Sequence, residues 1–313
     1  MAPPRWTADD MPDLSDHVMV VTGANSGLGF ETARALAHHG AHVIMACRNL
    51  DKGHHAAARI EEQGAVGRVE AWSLDLASLA SVEEFAGRFE REHEALHALC
   101  NNAGVMALPH QRTADGFEMQ LGTNHLGHFA LTGHLLSVLM ATDGSRVVTV
   151  SSLVHRIGRM DWDDLQSEHR YHRWDAYAQS KLANLLFAFE LQRRLEAAKA
   201  RTISAASHPG YSATNLHVEG ARQRGSSLRL RLMSGINRLV AQSAEQGALP
   251  SLYALTADDV RGGELFGPSG PFESRGGPTR VQASRQARDV ESAARLWAIS
   301  QQLTGVRFDA LSN

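Results

Sequence analysis

Along the 313-residue chain, short unbroken apolar runs alternate with longer stretches in which apolar positions recur every three or four residues. The runs are HVMVVTG (17–23), HVIMAC (42–47), VEAWSLD (69–75), LHALCNN (96–102), SRVVTVSS (145–152), RTISAASH (201–208) and GGELFG (262–267). Helical spacing marks 27–39, 51–63, 78–93, 115–140, 174–200, 244–256 and 289–304. Strands that are apolar at nearly every position predict a parallel sheet covered by helices on both faces. Right-handed crossovers then predict a doubly wound α/β fold, Rossmann-type, with seven mainly parallel strands. No repeat, low-complexity linker or break in composition divides the chain. It reads as one domain over 1–313, with a core at 15–267 and a helical extension at 285–305.

Two segments depart from the alternation. Residues 153–173 form a long polar excursion, and 211–243 carry Leu228, Leu232, Ile236, Leu239 and Val240 at helical spacing with Arg229, Arg231 and Arg238 between them. Connections this long in a compact domain tend to be functional. The second reads as a lid whose apolar face predicts an apolar substrate; a basic helix on a membrane surface is the alternative.

Composition narrows the partners. The chain is 43% hydrophobic with a net charge of −3, so no positive field argues for nucleic acid. Its two cysteines, Cys47 and Cys100, end apolar runs and read as buried thiols of a reducing compartment. The N-terminal MAPPRWTADDMPDLSD lacks the apolar region of a signal peptide. No stretch reaches the roughly 18 unbroken apolar residues needed to span a bilayer. These features predict a cytoplasmic protein without a membrane span. Among 17 histidines, His125 and His128 stand at a spacing metals can use, but no carboxylate or cysteine nearby completes a ligand set, so no metal is expected.

The first strand runs into VVTGANSGLGFETARALAHHG, where Gly23, Gly27 and Gly29 form a G-x3-G-x-G pattern opening a helix. Glycines let the backbone turn tightly and approach a pyrophosphate, and the helix N-terminus supplies free N–H groups and a positive dipole end. NNAG (101–104) ends the fourth strand and VTVSS (148–152) the fifth, while YAQSK (177–181) sets Tyr177 and Lys181 on one helix face. Together these motifs resemble the short-chain dehydrogenase/reductase family over about residues 15–267. NHLGHF (124–129), SSLVHRIG (151–158) and YAQSKLAN (177–184) look most like its retinol dehydrogenase branch.

The resemblance implies a catalytic set of Asn124, Ser152, Tyr177 and Lys181. Carbonyl reduction needs a proton for the developing alkoxide. A free phenol has a pKa of about 10, and the charge on Lys181 would favour its ionised form. Lys181 also hydrogen-bonds the nicotinamide ribose in the family, Asn124 would hold a water linking Lys181 to solvent, and Ser152 would stabilise charge on the substrate oxygen. Ser151 competes for the last role; strand neighbours face opposite sides, and the family pattern favours Ser152. The stretch from Ser152 to Tyr177 has the long form of the retinol dehydrogenase branch, so 153–173 borders the substrate mouth.

On the nucleotide, the resemblance places Gly23, Asn25, Ser26, Gly27, Leu28 and Gly29 of the cradle, and Asn102, Ala103 and Gly104 of NNAG. It adds Tyr177 and Lys181, and Pro209, Gly210, Tyr211 and Thr214 of HPGYSATNL. Asp75 and Leu76 would meet the adenine, unless Asp75 caps the helix starting near Ser78. Where an NAD enzyme of this fold carries a carboxylate, the second strand ends in Cys47, followed by Arg48 and Asn49. A neutral Cys47 removes repulsion from a 2′-phosphate, which Arg48 can hold with a fork of donors and Asn49 with a further hydrogen bond. The expected cofactor is NADP(H), and the expected substrate a carbonyl or alcohol of an apolar small molecule. A non-catalytic NADP(H)-binding regulator or scaffold, and a reductase of a conjugated carbon–carbon double bond, remain alternatives. In many relatives the helices at 115–140 and 174–200 pair subunits into homo-oligomers, which the inserts here could block.

Overall fold

The computed structural model describes residues 6–211 and 242–311. Eight strands among them lie in one sheet, in the order β3-β2-β1-β4-β5-β6-β7-β8. They are β1 (Val18–Thr22), β2 (His42–Cys47), β3 (Val69–Ser73), β4 (Ala98–Asn101), β5 (Arg146–Val150), β6 (Ile203–Ser207), β7 (Leu265–Pro268) and β8 (Pro278–Arg280). The first seven run parallel; β8 joins β7 antiparallel at the edge. The apolar pattern predicts seven strands and misses β8. Three residues beginning with a proline, confined to a sheet edge, carry no periodicity to read.

Seven longer helices cover the sheet: α1 (Gly27–His38), α2 (Leu50–Glu62), α3 (Leu79–Glu92), α4 (Gly127–Ala141), α5 (Arg173–Ala197), α6 (Ala244–Thr256) and α7 (Val290–Thr304). Successive strand residues feed two cores. Met19, Val21, Val43 and Met45 pack with Leu36 of α1 and Leu252 of α6. The residues between them, Val20, Ile44 and Ala46, pack with Phe85 and Phe89 of α3, Leu135 of α4 and Phe187 of α5. Burial on both faces is why these strands are apolar throughout. Strand order reverses beside β1, whose neighbours are β2 and β4. The carboxyl ends of β1 and β4 therefore flank the crevice where open α/β sheets bind ligands.

The stretch expected as one helix over 115–140 is broken. An Arg112–Glu118 bridge precedes a short turn at Met119–Leu121, a π turn at Gly122–Leu126, and only then α4. Apolar spacing continues through the π turn, so periodicity cannot reveal it. The polar excursion begins with a 3-10 turn at Leu153–Arg156 and is tied down near its end. Gln120 Nε2 donates to Tyr171 Oη and the Arg173 carbonyl, and Tyr171 donates to the Leu108 carbonyl. Along α4 and α5 lies the chain's own C-terminal region. Trp297 stacks on Phe187 at 5.9 Å and Phe308 meets Phe129 at 4.8 Å. Of the lid expected at 211–243, only Tyr211, Gln242 and Ser243 are described; Thr214 and the Leu228–Val240 pattern lie outside the described residues. No described helix is long and apolar enough to cross a membrane.

Candidate active site

The cradle forms where β1 meets α1. Gly23 has φ +66°, a conformation that penalises any side chain. At Gly29 a Cβ would lie 2.5 Å from both the Gly23 carbonyl oxygen and Asn102 Nδ2, so only hydrogen fits where the helix crosses the strand end. Ser26 is exposed and makes no capping bond, and the first-turn amides of α1 have no side-chain partner among the described residues. NNAG is fastened beneath. Asn102 Nδ2 donates to the Thr22 carbonyl at 2.7 Å, and the amides of Asn102 and Ala103 both donate to Thr22 Oγ1 at 2.9 Å.

At the end of β2, the Cys47 thiol turns inward. Burial pushes its pKa up to about 11, and the backbone amides of Ala24 and Asn25 hydrogen-bond to the sulfur. The thiol is therefore neutral and braces the cradle from below. Arg48 is exposed and has no ion pair among the described residues. Asn49 is the N-cap of α2, its side-chain oxygen accepting from Lys52 N at 2.9 Å. That engages the acceptor end of its amide and leaves the donor end for a ligand. Asp75 does not cap α3, whose N-cap is Ser78. Its Oδ1 accepts from Ala77 N at 3.0 Å in a local turn beside buried Leu76.

Tyr177, Ser180 and Lys181 lie on the inward face of α5, all under 8% exposed. The two serines after β5 part company. Ser151 Oγ donates to the Lys181 carbonyl at 2.7 Å and is buried against α5, whereas Ser152 is half-buried and hydrogen-bonds to the Tyr177 phenol. Burial pushes Tyr177 up to about 12 against the lowering effect of Ser152. Burial also brings Lys181 down to about 8. Lys181 Nζ donates to the Val150 carbonyl at 3.1 Å and stands 6.0 Å from the centre of the Tyr177 ring. The hydrogen bond from Ser152 is what lowers the phenol against the effect of burial.

Asn124 sits in the π turn with both ends of its side-chain amide bonded. Oδ1 accepts from Val105 N at 2.7 Å, and Nδ2 donates to the Val105 carbonyl and to Ser180 Oγ, both at 2.9 Å. Gly104 passes close by: a Cβ there would come 3.2 Å from Asn124 Oδ1 and 3.3 Å from Lys181 Nζ. After β6, Gly210 N donates to His208 Nδ1, which leaves His208 Nε2 to donate to Glu273 at 3.0 Å. His208 and Arg156 together hold the Glu273 carboxyl down to about 2 and staple the Pro209–Gly210 turn in place.

Two further residues of the site carry little signal in the sequence. Trp174, half exposed, packs edge-on to Tyr177 at 6.3 Å and walls one side of the phenol. His155 is buried and donates from Nδ1 to the Ser152 carbonyl at 2.7 Å. Its place in SSLVHR three residues after Ser152 was the available signal. His125 and His128 do not converge: His125 pairs with Ser300 Oγ at 2.8 Å, and His128 turns to Asn124 and Thr22.

Comparison with known proteins bears on this arrangement. A family model described as short chain dehydrogenase matches residues 17–224. Human retinol dehydrogenase 12 is 42% identical over 298 residues, covering 95% of this chain and 89% of that protein. Human retinol dehydrogenase 13 is 43% identical over 289 residues, covering 92% and 84%. Among solved structures, an uncharacterized protein from Mycobacterium paratuberculosis superposes with a TM-score of 0.80 at 46% identity, covering 97% of this chain and 99% of that one. The family match spans the cradle, NNAG, the serine-ended fifth strand and the Tyr–Lys helix alike, and the chain belongs to the short-chain dehydrogenase/reductase family of oxidoreductases, in its retinol dehydrogenase-like branch.

Proposed function

We propose that the protein is an NADP(H)-dependent oxidoreductase that moves hydride between the nicotinamide and a carbonyl or alcohol of an apolar small molecule. One observation carries this reading: the Tyr177 phenol, held neutral by burial, faces Ser152 with Lys181 one helical turn on. A neutral phenol is a proton donor. Tyr177 would give its proton to the substrate oxygen as a carbonyl is reduced, and Ser152 would donate a hydrogen bond to that oxygen as its charge grows. In the reverse direction the phenol must first lose a proton, which cationic groups around it favour. The bound nicotinamide would supply or take the hydride. Trp174 offers an apolar wall beside the phenol, in keeping with relatives that bear the name retinol dehydrogenase.

The residues present fit the dinucleotide. The uncapped start of α1 suits a pyrophosphate, and Gly104 and Lys181 converge where a nicotinamide ribose would lie. Arg48, exposed and unpaired among the described residues, is free to take a 2′-phosphate, and the neutral Cys47 does not repel one. A hydrogen bond to a charged group contributes about 1.5–3 kcal/mol. Arg48→Ala should therefore weaken NADPH binding by roughly 10- to 100-fold while leaving NADH binding nearly unchanged. Fluorescence titration of both cofactors measures the ratio; an unaltered ratio would refute the assignment of Arg48.

A further inference from the structure

His128 has no part in the chemistry described so far, yet it joins the two halves of the site. It is fully buried in the first turn of α4. Its Nδ1 lies 3.0 Å from the main-chain carbonyl oxygen of Asn124, and its Nε2 2.9 Å from Thr22 Oγ1. A carbonyl only accepts, so Nδ1 carries the hydrogen. Burial, with Lys181 adding to it, pushes the ring down to about 4, so it is neutral and Nε2 is an acceptor. Thr22 must then donate to Nε2, the shorter of its two acceptor contacts, the other being the Cys100 carbonyl at 3.3 Å. The lone pairs of Thr22 Oγ1 meanwhile receive the amides of Asn102 and Ala103. Every link in the chain from NNAG through Thr22 and His128 to Asn124 thus has a fixed direction.

That chain ends on the main-chain carbonyl of Asn124, whose side chain is bonded in turn to Ser180 of the Tyr–Lys helix. The amide of Asn124 is engaged with Val105 and Ser180. Its Oδ1 lies on the Lys181 side of the site, since a Cβ on Gly104 would come 3.2 Å from that oxygen and 3.3 Å from Lys181 Nζ. We infer that His128 is a positioning residue for the hydride-transfer reaction. Its bond to the Asn124 carbonyl holds that residue against the Lys181 side of the site and, through Thr22, ties its position to the loops that would grip the cofactor. The inference rests on the function proposed above.

The test uses the full chain with NADPH and all-trans-retinal. His128→Leu removes both ring nitrogens; His128→Asn returns an N–H near the place of Nδ1. The expected result is a loss of kcat of about 10- to 100-fold in the Leu variant, the scale of a small misplacement in an active site. NADPH affinity should stay near the parent's, the solvent deuterium isotope effect should rise, and most of the kcat should return in the Asn variant. A Leu variant with parental kcat and isotope effect, in a protein that Tyr177→Phe inactivates, would overturn the inference. So would a loss that a well-folded Asn variant fails to restore. Should the Leu variant not fold, ¹⁵N-histidine NMR of the parent decides: a neutral Nδ1–H tautomer between about pH 5 and 8 supports the inference, and an Nε2–H tautomer contradicts it. A parent that leaves retinal unchanged counts against the proposed function, while the tautomer still decides the role of His128.

Discussion

Tyr177→Phe is expected to lower kcat by about 10²- to 10⁴-fold, the usual contribution of a positioned acid or base. NADPH binding and folding should stay close to the parent's. The substitution removes one oxygen and keeps the ring, which is 7% exposed and packed against Trp174. Ser152 loses a hydrogen-bond partner but is only half-buried, so solvent can replace it at a cost of about 1 kcal/mol or less. The phenol is also the group whose pKa, pushed up to about 12, sets the direction of the pH dependence. Carbonyl reduction should vary little with pH across the neutral range, where Tyr177 remains protonated. Alcohol oxidation, which needs the phenolate, should accelerate as pH rises. Steady-state NADPH oxidation together with cofactor titration separates the loss of chemistry from a loss of binding. A Phe variant turning over at the parental rate would remove Tyr177 from the mechanism.

Lys181→Met should move activity and stability in opposite directions. Losing the cation beside the reacting groups is expected to cost about 10²- to 10³-fold in kcat, the scale seen when a preorganised electrostatic group is removed. The same amine is a burden to the fold. It is 4% exposed and, among the described residues, donates to a single carbonyl, that of Val150, which Asn184 Nδ2 also serves at 3.0 Å. Its pKa falls from 10.5 in the unfolded chain to about 8 in the fold. Below pH 8 both states carry the proton, and the folded state bears the full cost of the buried charge. Between pH 8 and 10.5 the unfolded state holds the proton more tightly, so stability rises with pH and the cost disappears. A shift of this size corresponds to about 3 kcal/mol. The Met variant should thus resist urea better than the parent at neutral pH, with the advantage shrinking above pH 8. Urea melts across that range would show it; a Met variant less stable at every pH would contradict this account of the buried amine.

Different physical signals decided how much of the molecule could be read from its sequence. The seven parallel strands were legible because burial on both faces writes unbroken apolar runs, as in Val18–Thr22 and Arg146–Val150. Tyr177 and Lys181 were legible because helical geometry fixes residues four apart on one face. Alternation and family likeness favour Ser152 over Ser151, and Ser151 is drawn away to the Lys181 carbonyl. What stayed hidden has no local signature. The π turn around Asn124 adds a residue to a helical turn without disturbing apolar spacing. The capping role of Asn49, whose oxygen accepts from Lys52 N while its donor end stays available, carries no signal until the start of α2 is known. His128 reads only as a histidine spaced from His125 with no third ligand nearby, because its partner Thr22 lies far away in the chain and meets it only once β1 is in the sheet.

The most direct test of the central claim follows the hydride itself. All-trans-retinal is incubated with the full-length protein and NADPH deuterated at C4, the two C4 epimers being used in separate reactions, and the product is analysed by mass spectrometry. The expected product is an alcohol carrying one deuterium at the carbinol carbon from one epimer and none from the other, with Tyr177→Phe yielding almost no product. A deuterium found on a former carbon–carbon double bond, or no labelled product from either epimer across a panel of apolar aldehydes and ketones, would contradict it.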